Sequence, residues 1–297
     1  MKIILNADDF GIDIDRDRGI AEAVRRGYIS SVSVIVTNHL NREQISLIKE
    51  MKKKVSVGLH INLTDNPLIK YQTEDFCNRS YSFNRSKYNF WANAICDTIN
   101  IRYIEEEVIA QFKKFNEMFS FLPNHMDGHN HCNIFNRRVN DIFEKCAFKH
   151  QIHLRIPFEK LDFFERKRMA KRNNFKDYRR DSINFDVIKN NFNYYFKYDM
   201  LLYNFLCINN CHSDKIAYMG TMYGYFRTSK VFIEQIKNLR KESVIQVMTH
   251  PGFYDKKQCH NSLFSNKDRV KELKSLKKVK KYCKKNKIDY ITYNDIL

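Results

Sequence analysis

Three adjacent stretches decide the fold class: Lys2-Ile3-Ile4-Leu5-Asn6-Ala7-Asp8-Asp9, Ile20-Ala21-Glu22-Ala23-Val24-Arg25-Arg26-Gly27, and Val32-Ser33-Val34-Ile35-Val36-Thr37. The first is a short apolar run that ends in charged residues, the reading of a buried strand. The second reads as a short helix closed by Gly27. The third is β-branched at alternate positions or better, so it reads as a second strand. Strand, helix and strand in succession form the unit of a parallel sheet, because parallel strands need a long crossover connection and a helix is the usual one.

The rhythm continues outward. Arg42 to Lys54 reads as a helix and Val55 to Leu63 as a strand. Tyr103 to Phe119 reads as a long helix stopped by Pro123, and Asn124 to His131 as a strand. Asp141 to His150 is helical, His153 to Ile156 is a strand ending at Pro157, and Ile245 to Met248 is another. A basic helix and a last strand, Asp289 to Thr292, close the chain. For 297 residues the economical fold is α/β, a single β/α barrel spanning 1–297 as one domain. Two long, aromatic, Asn-rich and basic stretches, 69–100 and 159–214, break the rhythm and read as insertions at the barrel mouth.

Composition narrows the class. Hydrophobic residues at 43% supply a core and exclude a disordered chain, while 8 Gly and 4 Pro exclude collagen-like sequence. No apolar run approaches the roughly 18 residues that cross a bilayer. Ile3-Ile4-Leu5 is too short for the apolar part of a signal peptide, so a cytoplasmic protein without a membrane partner is expected. The 8 cysteines are scattered, in keeping with reduced thiols, and Cys207 and Cys211 are spaced one residue too far apart for the usual metal or redox pair. The net charge is +18, and residues 265–297 alone carry 11 Lys/Arg against 4 Asp/Glu. There Val270, Leu273, Leu276 and Val279, followed by Tyr282 and Cys283, form an apolar stripe under a lysine coat. We read that coat as a solvated helix face rather than a nucleic-acid surface.

Four polar constellations carry chemistry. Asp8 and Asp9 stand at the end of the first strand, where sites form in parallel sheets, although Asp also serves as a helix cap. His60 and Asn62 share one face of the third strand. His125, Asp127, His129 and His131 recur at period two, which puts them on one strand face; an apolar core does not accept such a row, because unpaired polar groups cost several kcal/mol to bury. His250 meets Pro251-Gly252, which cannot continue a strand, so it sits at a strand tip. Arg155 likewise ends a strand before Pro157. One carboxylate with two imidazoles is a divalent-metal set with room for water, and a second carboxylate and histidine can act as base and acid. The combination suits metal-assisted hydrolysis of an amide or ester.

Asn6-Ala7-Asp8-Asp9-Phe10-Gly11, Gly58-Leu59-His60-Ile61-Asn62-Leu63-Thr64, His125-Met126-Asp127-Gly128-His129-Asn130-His131 and His250-Pro251-Gly252-Phe253, in that order, resemble the YdjC/ChbG family of carbohydrate deacetylases. The resemblance runs from Ile3 to Ile296 and weakens over the insertions. It implies a distorted (β/α) barrel of the glycoside hydrolase/deacetylase type, and removal of N-acetyl groups from sugars such as chito-oligosaccharides. It implies that Asp9, His60 and His129 hold a divalent ion, Mg²⁺ by family habit, although the donor set also suits Zn²⁺, Mn²⁺ or Co²⁺. Asp8 would be the general base, His250 the acid that protonates the departing amine, and Arg155 the cation that keeps Asp8 ionised. His125, Asp127, His131 and Asn62 would form the supporting shell. An acetylated saccharide is then the partner, and a homodimer the implied assembly. Asn133 stands where the family often has another His. Two other readings remain open on the residues alone: a metal-dependent phosphoesterase on a similar barrel, and a non-catalytic basic binding protein.

Overall fold

The computed structural model of the protein describes residues 1–69, 87–158, 216–220, 228–239, 242–254 and 266–296. At its centre runs β1 (Lys2–Phe10), where Ile3, Ile4 and Leu5 are fully buried. Each such side chain contributes about 1.5–3 kcal/mol through burial. Around it lie β2 (Ser31–Val34), β3 (Ser56–Ile61), β4 (His125–Gly128), β5 (His153–Leu154), β6 (Ala217–Met219), β7 (Val244–Thr249) and β8 (Asp289–Tyr290). All pairings are parallel, in the order β5-β4-β3-β2-β1-β7-β6, with β8 joined to the start of β1.

The sheet curls until its flanks meet. Gln246 of β7 donates to His153 Nε2 of β5 at 3.2 Å, and Tyr293 donates to Gln246 Oε1 at 2.9 Å. The Tyr293 ring stacks on His125 with centroids 3.8 Å apart, forming the barrel floor. Among the described residues β5 and β6 do not pair, so the expected distortion of the barrel lies on that side.

The connecting helices are α1 (Ile14–Arg25), α2 (Arg42–Met51), α3 (Lys87–Ile95), α4 (Ile101–Phe119), α5 (Arg137–His150), α6 (Ser229–Asn238) and α7 (Asn266–Lys285). Helix α1 begins at Ile14 rather than the expected Ile20, because Asp13 caps it by accepting from the Arg16 amide. Its first turn buries Arg16 and Asp17, which hides the apolar periodicity there. Asn41 and Gln44 form a reciprocal capping box on α2, and Asn136 caps α5. Helix α3 falls within the first expected insertion. The second insertion, 159–214, lies wholly outside the described residues, and with it Cys207 and Cys211. Neither β6 nor α6 was expected. The strand is too short to show a period, but Thr228 caps α6 and Val231, Phe232, Gln235 and Ile236 are buried at helical spacing, a legible signal.

The expected strand from Asn124 to His131 is shorter. It stops at Gly128, and His129–His131 form one turn of 3-10 helix with Asn130 at φ 52° and His131 at φ 54°. Gly128 packs so closely that a β carbon there would lie 2.7 Å from Asn133 Oδ1. The period-two argument therefore holds only for His125 and Asp127.

Candidate active site

Neighbours on a regular strand face opposite ways, so Asp8 and Asp9 could not both enter one pocket. The pairing of β1 with β2 slips between Ala7 and Phe10, and Asp9 takes a left-handed φ of 71°. This bulge turns both carboxyls inward. Asp8 Oδ2 lies 3.9 Å and Asp9 Oδ1 3.5 Å from the same atom, His60 Nε2. Gly11 completes the turn at φ 99°, where a β carbon would come 2.5 Å from the Ile35 carbonyl. Its amide donates to Asp17 Oδ1 at 2.8 Å.

His60 comes from β3 and His129 from the 3-10 turn after β4. Asp9 Oδ1 is 3.0 Å from His129 Nδ1, which is 3.3 Å from His60 Nε2. A carboxylate oxygen and two imidazole nitrogens thus converge, a donor set that fits a divalent cation. Asp8, His60 and Asp127 also lie within reach of one another. In that second group both oxygens of Asp8 and of Asp127 are engaged by Arg155, Asn6, Ser33 and His60, whereas Asp9 meets the arginines through Oδ2 and keeps Oδ1 toward the histidines, so the first trio is the better centre.

Asp127, at the middle of this network, is fully buried. Its Oδ1 meets His60 Nδ1 at 2.5 Å, which leaves Nε2 for the centre, as in the carboxylate–histidine pairs that orient metal ligands. Its Oδ2 accepts from Ser33 Oγ at 2.8 Å and lies 3.0 Å from Arg155 Nη1. Ser33 Oγ has one hydrogen and two lone pairs. It gives the hydrogen to Asp127 and accepts from Asn6 Nδ2 at 2.8 Å, so His125 Nε2, 3.0 Å away, must donate. Burial, with Arg155 adding to it against the pull of Asp127, presses His125 down to about 3; the ring is neutral. Its position at the first residue of β4 puts it on the barrel floor, below the rim where the sequence pattern suggested it.

Arg155 forks onto Asp8, Nη1 to Oδ1 at 2.8 Å and Nη2 to Oδ2 at 2.6 Å. Burial alone would raise Asp8, but Arg155 overrides it and holds the carboxyl below its ordinary value. Burial would likewise raise Asp9; His129 and His60 bonding to it, with His250 nearby, bring it well below. Burial opposes charge on His60, yet Asp127, Asp9 and Asp8 around it lift the ring to about 10.

The remaining expected residues are placed as follows. His250 follows β7, with its amide donating to Glu272 Oε1 at 3.0 Å. His131 is half-buried with its ring edge-on to Tyr218, centroids 6.3 Å apart. Asn62 lies beyond β3 and folds the next turn: its Oδ1 accepts from the Thr64 and Asp65 amides at 3.0 and 3.1 Å. Thr64 in turn accepts from Asn130 at 3.1 Å, which steadies the turn that carries His129. Asn133 is buried and donates to Asn140 Oδ1 at 3.2 Å.

The sequence reading missed Ser33, Asn6, Arg16, Arg269 and Glu272. Asn6 and Ser33 are polar residues inside buried strands, a visible anomaly. Arg269 and Glu272 extend the Leu273-Leu276-Val279-Cys283 stripe of α7 inward and are 2% and 4% exposed. A charged pair continuing an apolar stripe was the signal.

The sequence profile described as YdjC-like protein matches residues 2–284. Carbohydrate deacetylase 2 of Listeria innocua is 25% identical over 303 residues, covering 100% of this chain and 99% of that one. The chitooligosaccharide deacetylase of Yersinia enterocolitica is 32% identical over 158 residues, covering 52% of this chain and 58% of that one. A crystal structure of an Enterococcus faecalis protein matches 99% of this chain and 98% of its own, with a TM-score of 0.67 at 20% identity, and so shares the fold.

Proposed function

The chain belongs to the YdjC-like family, and from that membership we propose that it is a divalent-metal-dependent hydrolase that removes N-acetyl groups from an acetylated carbohydrate of the chito-oligosaccharide kind. The observation that carries the reading is the meeting of Asp9 Oδ1, His60 Nε2 and His129 Nδ1 within 3.5 Å of one another, beside an Asp8 carboxylate clamped by Arg155. The names of the relatives supply the substrate class.

Asp9, His60 and His129 would hold the ion, which we assign as Mg²⁺ with Zn²⁺, Mn²⁺ and Co²⁺ as the alternatives to titrate. Once bound, the ion supplies polarisation of the acetyl carbonyl and a more acidic water. Asp8 does the work of the base: Arg155 keeps it ionised, and Oδ2 faces the centre to receive a proton. His250, fixed at the β7 tip through Glu272, gives a proton to the departing amine. Asp127 keeps the His60 Nε2 lone pair on the centre by holding the hydrogen at Nδ1, and Ser33 and His125 keep Asp127 in place. A two-metal phosphoesterase is less well supported, because the Arg155 guanidinium fills the space between Asp8 and Asp127 that a second ion would need. No helix of the described residues is long and apolar enough to cross a membrane. A cytoplasmic homodimer belongs to the same proposal, and sedimentation would test the assembly.

The test is acetate release from a panel of N-acetylated mono- and oligosaccharides, with chelator and then with each ion restored. Release should stop with chelator and return with an ion, and Asp8→Asn should slow it by about 10²–10⁴-fold while ion binding persists. Release that survives chelation, or Asp8→Asn at the parental rate, would overturn the proposal.

A further inference from the structure

The proposed chemistry leaves two buried arginines without a role. Arg16 of α1 and Arg269 of α7 are each 2% exposed, and both reach the oxygen of Asp9 that turns away from the histidines. Arg269 Nη2 is 3.1 Å from Asp9 Oδ2 and Arg16 Nη1 is 3.8 Å from it. Arg16 Nε also pairs with Asp13 Oδ2 at 2.9 Å. Two buried guanidiniums thus converge on one carboxylate oxygen. Bringing two like charges together in an interior is unfavourable, so packing alone is a poor account of the pair. The charge count gives another. Asp8, Asp9 and Asp127 face Arg155, Arg16 and Arg269, and the ion pairs join them into one buried set. Arg16 is shared with Asp13, so the three buried carboxylates are largely rather than wholly compensated before any dication arrives. A site built for the tightest retention of a dication would leave its carboxylates uncompensated.

We propose that Arg269, backed by Arg16, is a built-in counter-charge on Asp9 that fixes it as a one-oxygen ligand through Oδ1 and keeps the bound ion exchangeable rather than permanent. This rests on the assignment of Asp9, His60 and His129 as ligands. Both arginines are positioning residues; they act on the ion through Asp9. The inference also gives the basic helix a role at the site, since its buried face brings Arg269 to Asp9 and Glu272 to the His250 amide.

The test titrates the full chain with Mn²⁺, an ion with little affinity for the cysteines, following free Mn²⁺ by its electron paramagnetic resonance signal. Arg269→Gln should bind on the order of tenfold more tightly than the parent, since a cation beside the dication is lost. Its melting temperature should also rise further on adding Mn²⁺ than the parent's does. Arg269→Lys, which keeps the charge, should stay within about threefold of the parent, as charge rather than shape sets the effect. Equal or weaker binding by Arg269→Gln overturns the inference. If that variant folds only with Mn²⁺ present, the inference stands, because Asp9 then needs a replacement cation. If it folds under neither condition, Arg16→Gln decides: tighter binding than the parent supports the inference, and anything else overturns it. A parent that binds no Mn²⁺ beside an Arg269→Gln that does would also support it. No binding by either would overturn both the inference and the ligand assignment, whereas binding by both with no tightening would overturn the inference alone.

Discussion

Asp127→Asn is the sharpest probe of the site, since the change is one atom and the consequences follow from counted hydrogen bonds. The native carboxylate accepts on Oδ1 from His60 Nδ1 at 2.5 Å, and Oδ2 lies 2.8 Å from Ser33 Oγ and 3.0 Å from Arg155 Nη1. An asparagine can keep the bond to His60 only by turning its NH₂ toward Ser33 and Arg155. Arg155 has no acceptor, and both lone pairs of Ser33 are taken by Asn6 and His125. The opposite amide orientation sets NH₂ against His60 Nδ1–H. Neither arrangement satisfies all partners. Losing one partner of a buried ion network costs about 3–5 kcal/mol, and Arg155 keeps its fork on Asp8, so the lower figure applies. At about 2 °C per kcal/mol for a chain of this size, the metal-free protein should melt roughly 6 °C lower. Freed of its orienting carboxylate, His60 should bind an ion about 10–100-fold more weakly. Thermal unfolding with chelator, and Mn²⁺ titration, read the two effects separately. A variant that melts within about a degree of the parent and binds Mn²⁺ within about threefold would refute the network argument, by the same scales.

Metal binding should tighten as pH rises toward about 10, because the carboxylates around His60 overcome its burial and keep it protonated until then, and the ion must displace that proton; equal Mn²⁺ affinity at about pH 6 and 8 would count against it. Gly58→Ala drives a β carbon into the His125 ring, and a crowded core costs about 1–3 kcal/mol, so the melting temperature should fall; an unchanged melt would show that the ring is free to move. Burial raises Asp17 to about 7 against the hydrogen bonds from Gln44 and Gly11. A carboxyl raised in the folded state favours folding fully below its unfolded value of 3.8 and loses that contribution as pH climbs through about 7. Urea unfolding should therefore show stability falling across that window, and Asp17→Asn should flatten the slope; a variant with the parental slope would place the titration elsewhere.

Much of the fold was legible because it rests on near neighbours. The apolar run at Ile3-Ile4-Leu5, the β-branched run at Val32 and the stripe on α7 each declare a strand or helix through the spacing of residues a few positions apart. Where short-range signals were hidden by polar residues with distant partners, as in the first turn of α1, the boundary was misplaced. The same holds for the third motif. His125 and Asp127 kept the strand period, but Gly128 ended it under Asn133, and His129 reached Asp9 from a turn that alternation could not describe.

The sequence by itself determined which residue types were available and that strand ends would carry them: Asp8, Asp9, His60, Asp127, Arg155 and His250 are anomalies in their local patterns before any contact is known. Only the tertiary structure decided their order of contact. The bulge that turns Asp8 and Asp9 the same way depends on the register of β1 against β2. The fork of Arg155 on Asp8 joins residues 147 apart, and the bond from Arg269 to Asp9 joins residues 260 apart. Periodicity records the environment each side chain needs, whereas sheet curvature, set by the whole chain, chooses which partner supplies it.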